Sequence, residues 1–369
     1  MIPAGQRLPL TLLTGFLGSG KTTVLSRLIR TPGLEKTACV INEFGDVGLD
    51  HWLVERSDET TVLLEGGCLC CTVRGDLVDT LRRLFLQRVR GEVPPFERVV
   101  IETTGLADPA PILHTLISEP LLAARYRLDG IVTTVDAVLG ESQLEQNPES
   151  VKQAALADRL VLTKTDLASP AAIARLEARL QALNPGASRL IAVAGTPSGD
   201  ASWHALLGAG LYDPETGTLN GSRWLKAEAY PAPACADGTC HHREHAHAPP
   251  GSSPASSHNH PHTPANAPPL AHDGIRSFCL TFATPLPWEP FALAMESLTT
   301  LHGANILRIK GILWVAGEES PVAIHGVQHL FYPPATLDRW PDDARLSQIV
   351  FITRDLEPAV VTRFLALSV

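Results

Sequence analysis

Gly15-Phe16-Leu17-Gly18-Ser19-Gly20-Lys21-Thr22 is the stretch of this 369-residue chain whose residue types and spacing point most directly to chemistry. It fits G-x-x-x-x-G-K-[ST] in full. Glycines let backbone N–H groups close around phosphate oxygens without Cβ obstruction. A helix beginning there adds positive partial charge where an anion sits. Lys21 is then placed to reach the terminal phosphates and the Thr22 hydroxyl to ligate Mg²⁺. Gly15, Gly18, Ser19, Gly20, Lys21, Thr22 and Thr23 are therefore candidate nucleotide-binding residues.

Two further segments extend that site. Arg98-Val99-Val100-Ile101-Glu102-Thr103-Thr104-Gly105 is an apolar strand ending in a carboxylate. Glu102 is expected near Mg²⁺ and the γ-phosphate, as a catalytic and metal-holding group, with the Gly105 N–H beside the γ-phosphate. Thr163-Lys164-Thr165-Asp166 has a Lys-x-Asp core suited to guanine. A carboxylate at Asp166 can accept from both N1–H and the 2-amino group, a bidentate pair that adenine does not offer. Lys164 and Asp166 are thus the candidate base-reading residues, and GTP or GDP the expected nucleotide.

A second kind of chemistry lies in Gly66-Gly67-Cys68-Leu69-Cys70-Cys71. Thiolates suit Zn²⁺ and other borderline or soft metals. Cys68, Cys70 and Cys71 can supply up to three ligands from one loop, and a closed tetrahedral site needs a fourth from elsewhere. With three or fewer protein ligands a position stays open for exchange, which suits a carrier. The plain alternative is three small buried apolar residues. Seven cysteines in all, two of them adjacent, do not form a disulfide framework and fit reduced thiols in a cytoplasmic protein.

Eight of the 14 histidines lie between His241 and His272. Cys235, Cys240, His241, His242, His245, His247, His258, His260, His262 and His272 make a metal-attracting run in a Pro-, Ala-, Ser- and Gly-rich segment. Such a composition cannot bury enough apolar surface to offset its chain entropy, so residues 226–273 are expected to be a disordered linker. Its histidines either gather metal near the cysteine loop by raising effective concentration or do nothing.

The elements that must position these groups follow from periodicity. Leu8–Thr14, Thr37–Ile41, Thr60–Leu64, Arg98–Glu102, Gly130–Val135, Arg159–Thr163 and Arg189–Val193 read as strands. Thr22–Arg30, Asp76–Arg90 with Asp76 as its cap, and Pro170–Leu183 read as helices. This alternation predicts an α/β domain over residues 1–225, a phosphate-loop NTPase with a mostly parallel sheet. Ile275–Phe282, Asn305–Ile309, Ile312–Ala316, Val322–His325 and Gln348–Thr353 as strands, with helices at Trp288–Leu301 and Pro358–Leu367, predict a small α+β domain over 274–369. A net charge of −9 argues against nucleic acid and anionic membrane as partners. An apolar run long enough for a membrane span is absent, and the N-terminus lacks the pattern of a secretory signal.

Taken in order, G-F-L-G-S-G-K-T-T, Asn42-Glu43-Phe44-Gly45, G-G-C-L-C-C, E-T-T-G and T-K-T-D resemble the CobW-type metallochaperone GTPases. The stretches Arg308–Trp314 and Val350–Ile352 resemble that family's C-terminal domain. The base motif opens with Thr163 where Asn is commoner. The resemblance implies GTP binding, slow hydrolysis and nucleotide-coupled handling of Zn²⁺ or Co²⁺ for a client metalloprotein. It also implies a switch segment at Asn42–Gly45, where Glu43 is either a metal ligand or a carboxylate bonded to backbone. Nucleotide-dependent homodimers are common in the broad class. A metal buffer with a vestigial nucleotide site and a small-molecule kinase are the rival readings.

Overall fold

The computed structural model describes residues 7–41, 62–65, 73–193, 196–197, 203–213, 216–233, 274–341 and 344–366. Its first part is a sheet flanked by helices, formed by β1 (Leu8–Gly15), β2 (Thr37–Ile41), β3 (Val62–Glu65), β4 (Arg98–Glu102), β5 (Tyr126–Asp136), β6 (Arg159–Thr163), β7 (Ser188–Val193) and β8 (Thr196–Pro197). Among the described residues the strand order is β3-β2-β4-β1-β5-β6-β7-β8. Neighbours from β3 to β7 pair in parallel, and only β8 runs antiparallel.

Both faces of this sheet are covered, which is why its strands are apolar nearly throughout. The helices are α1 (Lys21–Ile29), α2 (Val73–Arg90), α3 (Pro109–Ser118), α4 (Pro120–Arg125), α5 (Gly140–Gln146), α6 (Pro148–Leu156) and α7 (Pro170–Leu183). Side chains alternate along each strand. Leu10, Leu12, Val99 and Ile101 meet Leu77, Leu81 and Leu84 of α2 and Leu113 of α3. Leu13, Cys39 and Val100 point the other way, to Val24, Leu25 and Leu28 of α1. Helix α2 starts at Val73, so Asp76 sits inside its first turn and is not its cap. Side-chain caps form at Asp108 on α3 and Ser169 on α7, which accept from Ala110 N–H and Ala172 N–H.

A two-stranded ribbon, β9 (Tyr212–Asp213) with β10 (Thr218–Leu219), leads into the short helix α8 (Gly221–Leu225). The segment after it, at the start of the expected linker, packs back on the fold. Ala227–Ala229 form a 3-10 turn, and Cys279 N–H donates to Pro231 O at 3.0 Å.

The second part is an antiparallel sheet of β11 (Ile275–Phe282), β12 (Ile306–Leu313), β13 (Val322–Val327), β14 (Leu330–Phe331), β15 (Ala335–Thr336) and β16 (Ser347–Arg354), with α9 (Trp288–His302) and α10 (Pro358–Ala366). Its order is β11-β16-β12-β13-β14, with β15 beside β13. The two strands expected at Asn305–Ile309 and Ile312–Ala316 are one, β12, running through Lys310 and Gly311. Gly311 continues the strand because a Cβ there would lie 2.9 Å from Ile324 Cγ1. Lys310 continues it because its amine finds a buried carboxylate.

One face of this sheet carries α9 and α10 through Phe291, Met295, Leu298, Val361 and Leu365. The other face meets the first part. Leu307 and Ile352 join α6 and α7 in one apolar cluster, and Ile312 and Val350 pack on Trp224 and Leu225. At that interface Asp158 Oδ1 accepts from Arg308 Nη2 at 2.5 Å and from Lys310 Nζ at 2.7 Å. The three side chains are 3–9% exposed. Arg308 Nη1 also donates to Leu156 O and Ala157 O, and Lys310 Nζ to Trp224 O. Among the described residues no helix is long and apolar enough to cross a membrane.

Burial alone would raise the Asp158 carboxyl, but the charges of Arg308 and Lys310 hold it well below the usual carboxylate range. A carboxyl lowered on folding stabilises above its unfolded pKa of about 4, and that contribution is lost as pH falls. Asp158→Asn is therefore expected to destabilise the protein by about 3 kcal/mol near neutral pH. The gap between wild type and variant should narrow below about pH 4. Urea unfolding across pH 3–7 measures both, and a gap independent of pH would show that the carboxylate's charge is not the source.

Candidate functional site

The phosphate-loop sequence bridges the end of β1 and the start of α1, at the carboxyl edge of the parallel sheet. Gly15, Gly18 and Gly20 all have positive φ. Gly20 is the requirement that shapes the loop. It stands at the helix N-cap in the left-handed region, φ +90°, so the first N–H groups of α1 turn into the loop without a capping side chain. Lys21 is buried, and its amine donates back to Phe16 O at 3.2 Å. Thr23 is exposed.

The loop is fixed from beneath by hydroxyls. Ser19 Oγ and Thr134 Oγ1 of β5 share a hydrogen bond of 2.6 Å. Thr163 Oγ1, at the end of β6, donates to Ser19 O at 2.8 Å. Thr163 thus ties the base motif to the phosphate loop. The Ser19 side chain is wholly buried in this network, so what it offers a ligand is backbone.

Glu102 comes to the loop because β4 lies next to β1, with Leu13 opposite Glu102. Thr22 Oγ1 donates to Glu102 Oε1 at 2.7 Å. Glu102 is buried. Two oxygen donors, one hydroxyl and one carboxylate, therefore converge beside the phosphate loop, the hard ligand type that suits Mg²⁺. Gly105 follows in close contact with the loop. A Cβ there would lie 2.7 Å from both the N and the Cα of Leu17.

The approach of Gly105 is held by a residue that sequence spacing did not single out. Gln153, on α6 and wholly buried, donates its amide to Gly105 O at 3.1 Å and to Ala107 O at 3.0 Å. Its neighbour Lys152 pairs with Asp108 at 2.8 Å. A second such residue is Asp136, at the end of β5. Its Oδ2 accepts from Lys164 Nζ at 2.6 Å, and its Oδ1 from the N–H groups of Val138 and Leu139. Lys164 itself lies in the left-handed region, φ 55°. Asp166 is exposed two residues later. Around these groups Leu17, Leu106, Val138, Leu139 and Leu167 are exposed apolar side chains on loops at the same edge.

The proposed metal ligands Cys68, Cys70, Cys71 and Glu43 lie outside the described residues, as does the run from Cys235 to His272. The two cysteines that are described, Cys39 and Cys279, are buried in strands. Burial, reinforced by Glu102, pushes the Cys39 thiol up to about 12; burial likewise raises Cys279 to about 11. Both stay protonated and are poor metal ligands.

Comparison with known proteins is consistent with this arrangement. The model of the CobW/HypB/UreG nucleotide-binding domain matches residues 9–190, and that of the cobalamin synthesis protein CobW C-terminal domain matches residues 275–367. The zinc chaperone YjiA of Escherichia coli (strain K12) is 32% identical over 343 residues, spanning 93% of this chain and 92% of that protein. The zinc chaperone CobW of Pseudomonas aeruginosa is 26% identical across 96% of this chain and 90% of its own. The crystal structure of Zn(II)-bound YjiA GTPase superimposes with a TM-score of 0.64 at 27% identity, covering 98% of each chain.

The Asp136–Lys164 pair yields a measurable expectation. Asp136→Asn keeps the side-chain shape but removes the charge that holds Lys164. A charge-assisted hydrogen bond of about 1.5 kcal/mol corresponds to roughly tenfold in affinity. Titration with a fluorescent guanine nucleotide should show about that loss, and unchanged affinity would mean that Lys164 is placed by something else.

Proposed function

The chain belongs to the CobW/HypB/UreG family, with a CobW C-terminal domain, and on that premise we propose how its nucleotide and metal chemistry fit together. It is a GTPase and a metallochaperone. The cargo is Zn²⁺, with Co²⁺ as the alternative, carried by Cys68, Cys70 and Cys71 with Glu43 as a further ligand. Guanine is read by Lys164 and Asp166. The phosphates lie along the backbone of Gly15, Gly18, Ser19, Gly20, Lys21, Thr22 and Thr23, with the Gly105 N–H at the γ-phosphate.

The observation that carries this reading is the Thr22–Glu102 contact of 2.7 Å beside the loop. Thr22 and Glu102 would hold Mg²⁺, which when bound neutralises charge on the β- and γ-phosphates. Lys21 moves from Phe16 O to the terminal phosphates and stabilises the transferring phosphoryl group. Glu102 orients the Thr22 hydroxyl. Loss of the γ-phosphate removes the partner of Gly105 and of the switch segment at Asn42–Gly45, and the metal loop that follows relaxes. Zn²⁺ then passes to a client metalloprotein in the cytoplasm, with a nucleotide-dependent homodimer as the working assembly. Residues 1–225 supply the GTPase, the run from Cys235 to His272 a metal-gathering tether and 274–369 the C-terminal module. The names of the relatives, zinc chaperones and a zinc-regulated GTPase metalloprotein activator of Schizosaccharomyces pombe, support Zn²⁺ as cargo. The guanine motif speaks against a small-molecule kinase, which would also leave the cysteine loop idle.

Two measurements test this. Zn²⁺ affinity of the full chain is expected to be higher with a non-hydrolysable GTP analogue than with GDP. Equal affinities, with metal release unaffected by Lys21→Ala, would instead identify a metal buffer. Deleting residues 235–272 is expected to lower total metal stoichiometry and slow transfer while GTP turnover persists; unchanged stoichiometry and rate would remove the tether's role.

A further inference from the structure

Helix α3 and the turn between β13 and β14 face each other across the interface between the two parts of the chain. Between them lies a cavity whose walls include Ala110, Pro111, Val327 and Leu330 together with His114 and His329. The two imidazoles have centroids 6.0 Å apart and planes inclined by 49°. Metal–nitrogen bonds of about 2.0–2.1 Å place the centroids of two rings sharing one tetrahedral metal at roughly 5.2 Å, so the two rings need to close by only about 0.8 Å.

The geometry is held from both sides. Val327 is buried in the same apolar core as Ile112 and Leu113 of α3, so the turn is anchored to the helix that carries His114. Gly303 packs directly on His329, where a Cβ would lie 2.9 Å from the histidine's own Cβ. Ser118 Oγ, one turn on, donates to His114 O at 2.7 Å and lies 3.3 Å from Nδ1. His329 sits at the exposed tip of the turn, after Gln328 at φ 55°.

We propose that His114 and His329 form a binding site for a divalent transition metal of the Zn²⁺, Ni²⁺ or Co²⁺ class, separate from the cysteine loop. Two imidazoles with water completing the shell make a site of borderline ligands, open to exchange and modest in affinity. Its position gives it a consequence. Helix α3 begins directly after the Glu102–Gly105 segment, so metal here staples the element next to the phosphate loop to the C-terminal sheet.

Because the full chain holds other metal-binding residues, the test reads individual histidines. Carbethoxylation of His114 and His329 in the full chain is followed by mass spectrometry with and without zinc sulfate. Zinc at ten times its dissociation constant from this site is expected to slow both about tenfold. In His329→Gln, which keeps the Cβ that Gly303 packs against, His114 should lose its protection; in His114→Gln, His329 should lose its own. Protection of His114 that survives His329→Gln would overturn the shared site, as would no protection in the wild type, or equal protection of the exposed and remote His204.

Discussion

Asp158 is the charge on which the relation between the two sheets depends. It stands at the start of β6, on the side of the parallel sheet away from the phosphate loop, and meets Arg308 and Lys310 from the adjoining face of β12. Bringing three charges out of water is unfavourable unless every one finds partners. Here the guanidinium also reaches Leu156 O and Ala157 O, the amine Trp224 O, and the carboxylate Ile131 N–H. A slip of β12 by one residue would turn Arg308 and Lys310 toward α9 and α10 and leave Asp158 without them. Apolar contact holds the parts together, and this cluster selects the one register in which they fit.

The same cluster ends on α6, and α6 also serves the nucleotide edge. Gln153 holds the carbonyls of Gly105 and Ala107, Lys152 holds Asp108, and the carbonyls at the helix's far end receive Arg308. Asn184 seals that far end by donating to Ala154 O, Ala155 O and Ala157 O. One nine-residue helix thus touches both the segment beside the phosphate loop and the C-terminal sheet. Displacement of Gly105 cannot be absorbed locally, since its carbonyl partner is a wholly buried side chain on a helix sealed at its other end.

What the sequence made legible was local. The phosphate loop, the carboxylate ending β4 and the Lys-x-Asp segment each carry their chemistry within eight residues, and parallel strands buried on two faces are short apolar runs. The groups that hold those segments in place were not legible, because each pairs across the chain. Asp136 meets Lys164 and Gln153 meets Gly105, far beyond any local period. Asp76 resembled a cap because it precedes an apolar helical face, but the helix had already begun. Lys310-Gly311 resembled a break because a lysine and a glycine are poor strand residues in isolation. Only the partner carboxylate and the close approach of Ile324 make them good ones.

The depth at which Cys39 and Cys279 are buried has a meaning for a protein that handles thiophilic cargo. Any accessible thiolate in such a molecule is a decoy, competing for the ion. Raising these two thiols to about 12 and 11 makes them chemically silent at neutral pH. The sheets can use cysteine as a small apolar residue without diverting the traffic. Inertness of the scaffold thus keeps these two thiols out of that competition, and it is achieved chiefly by burial.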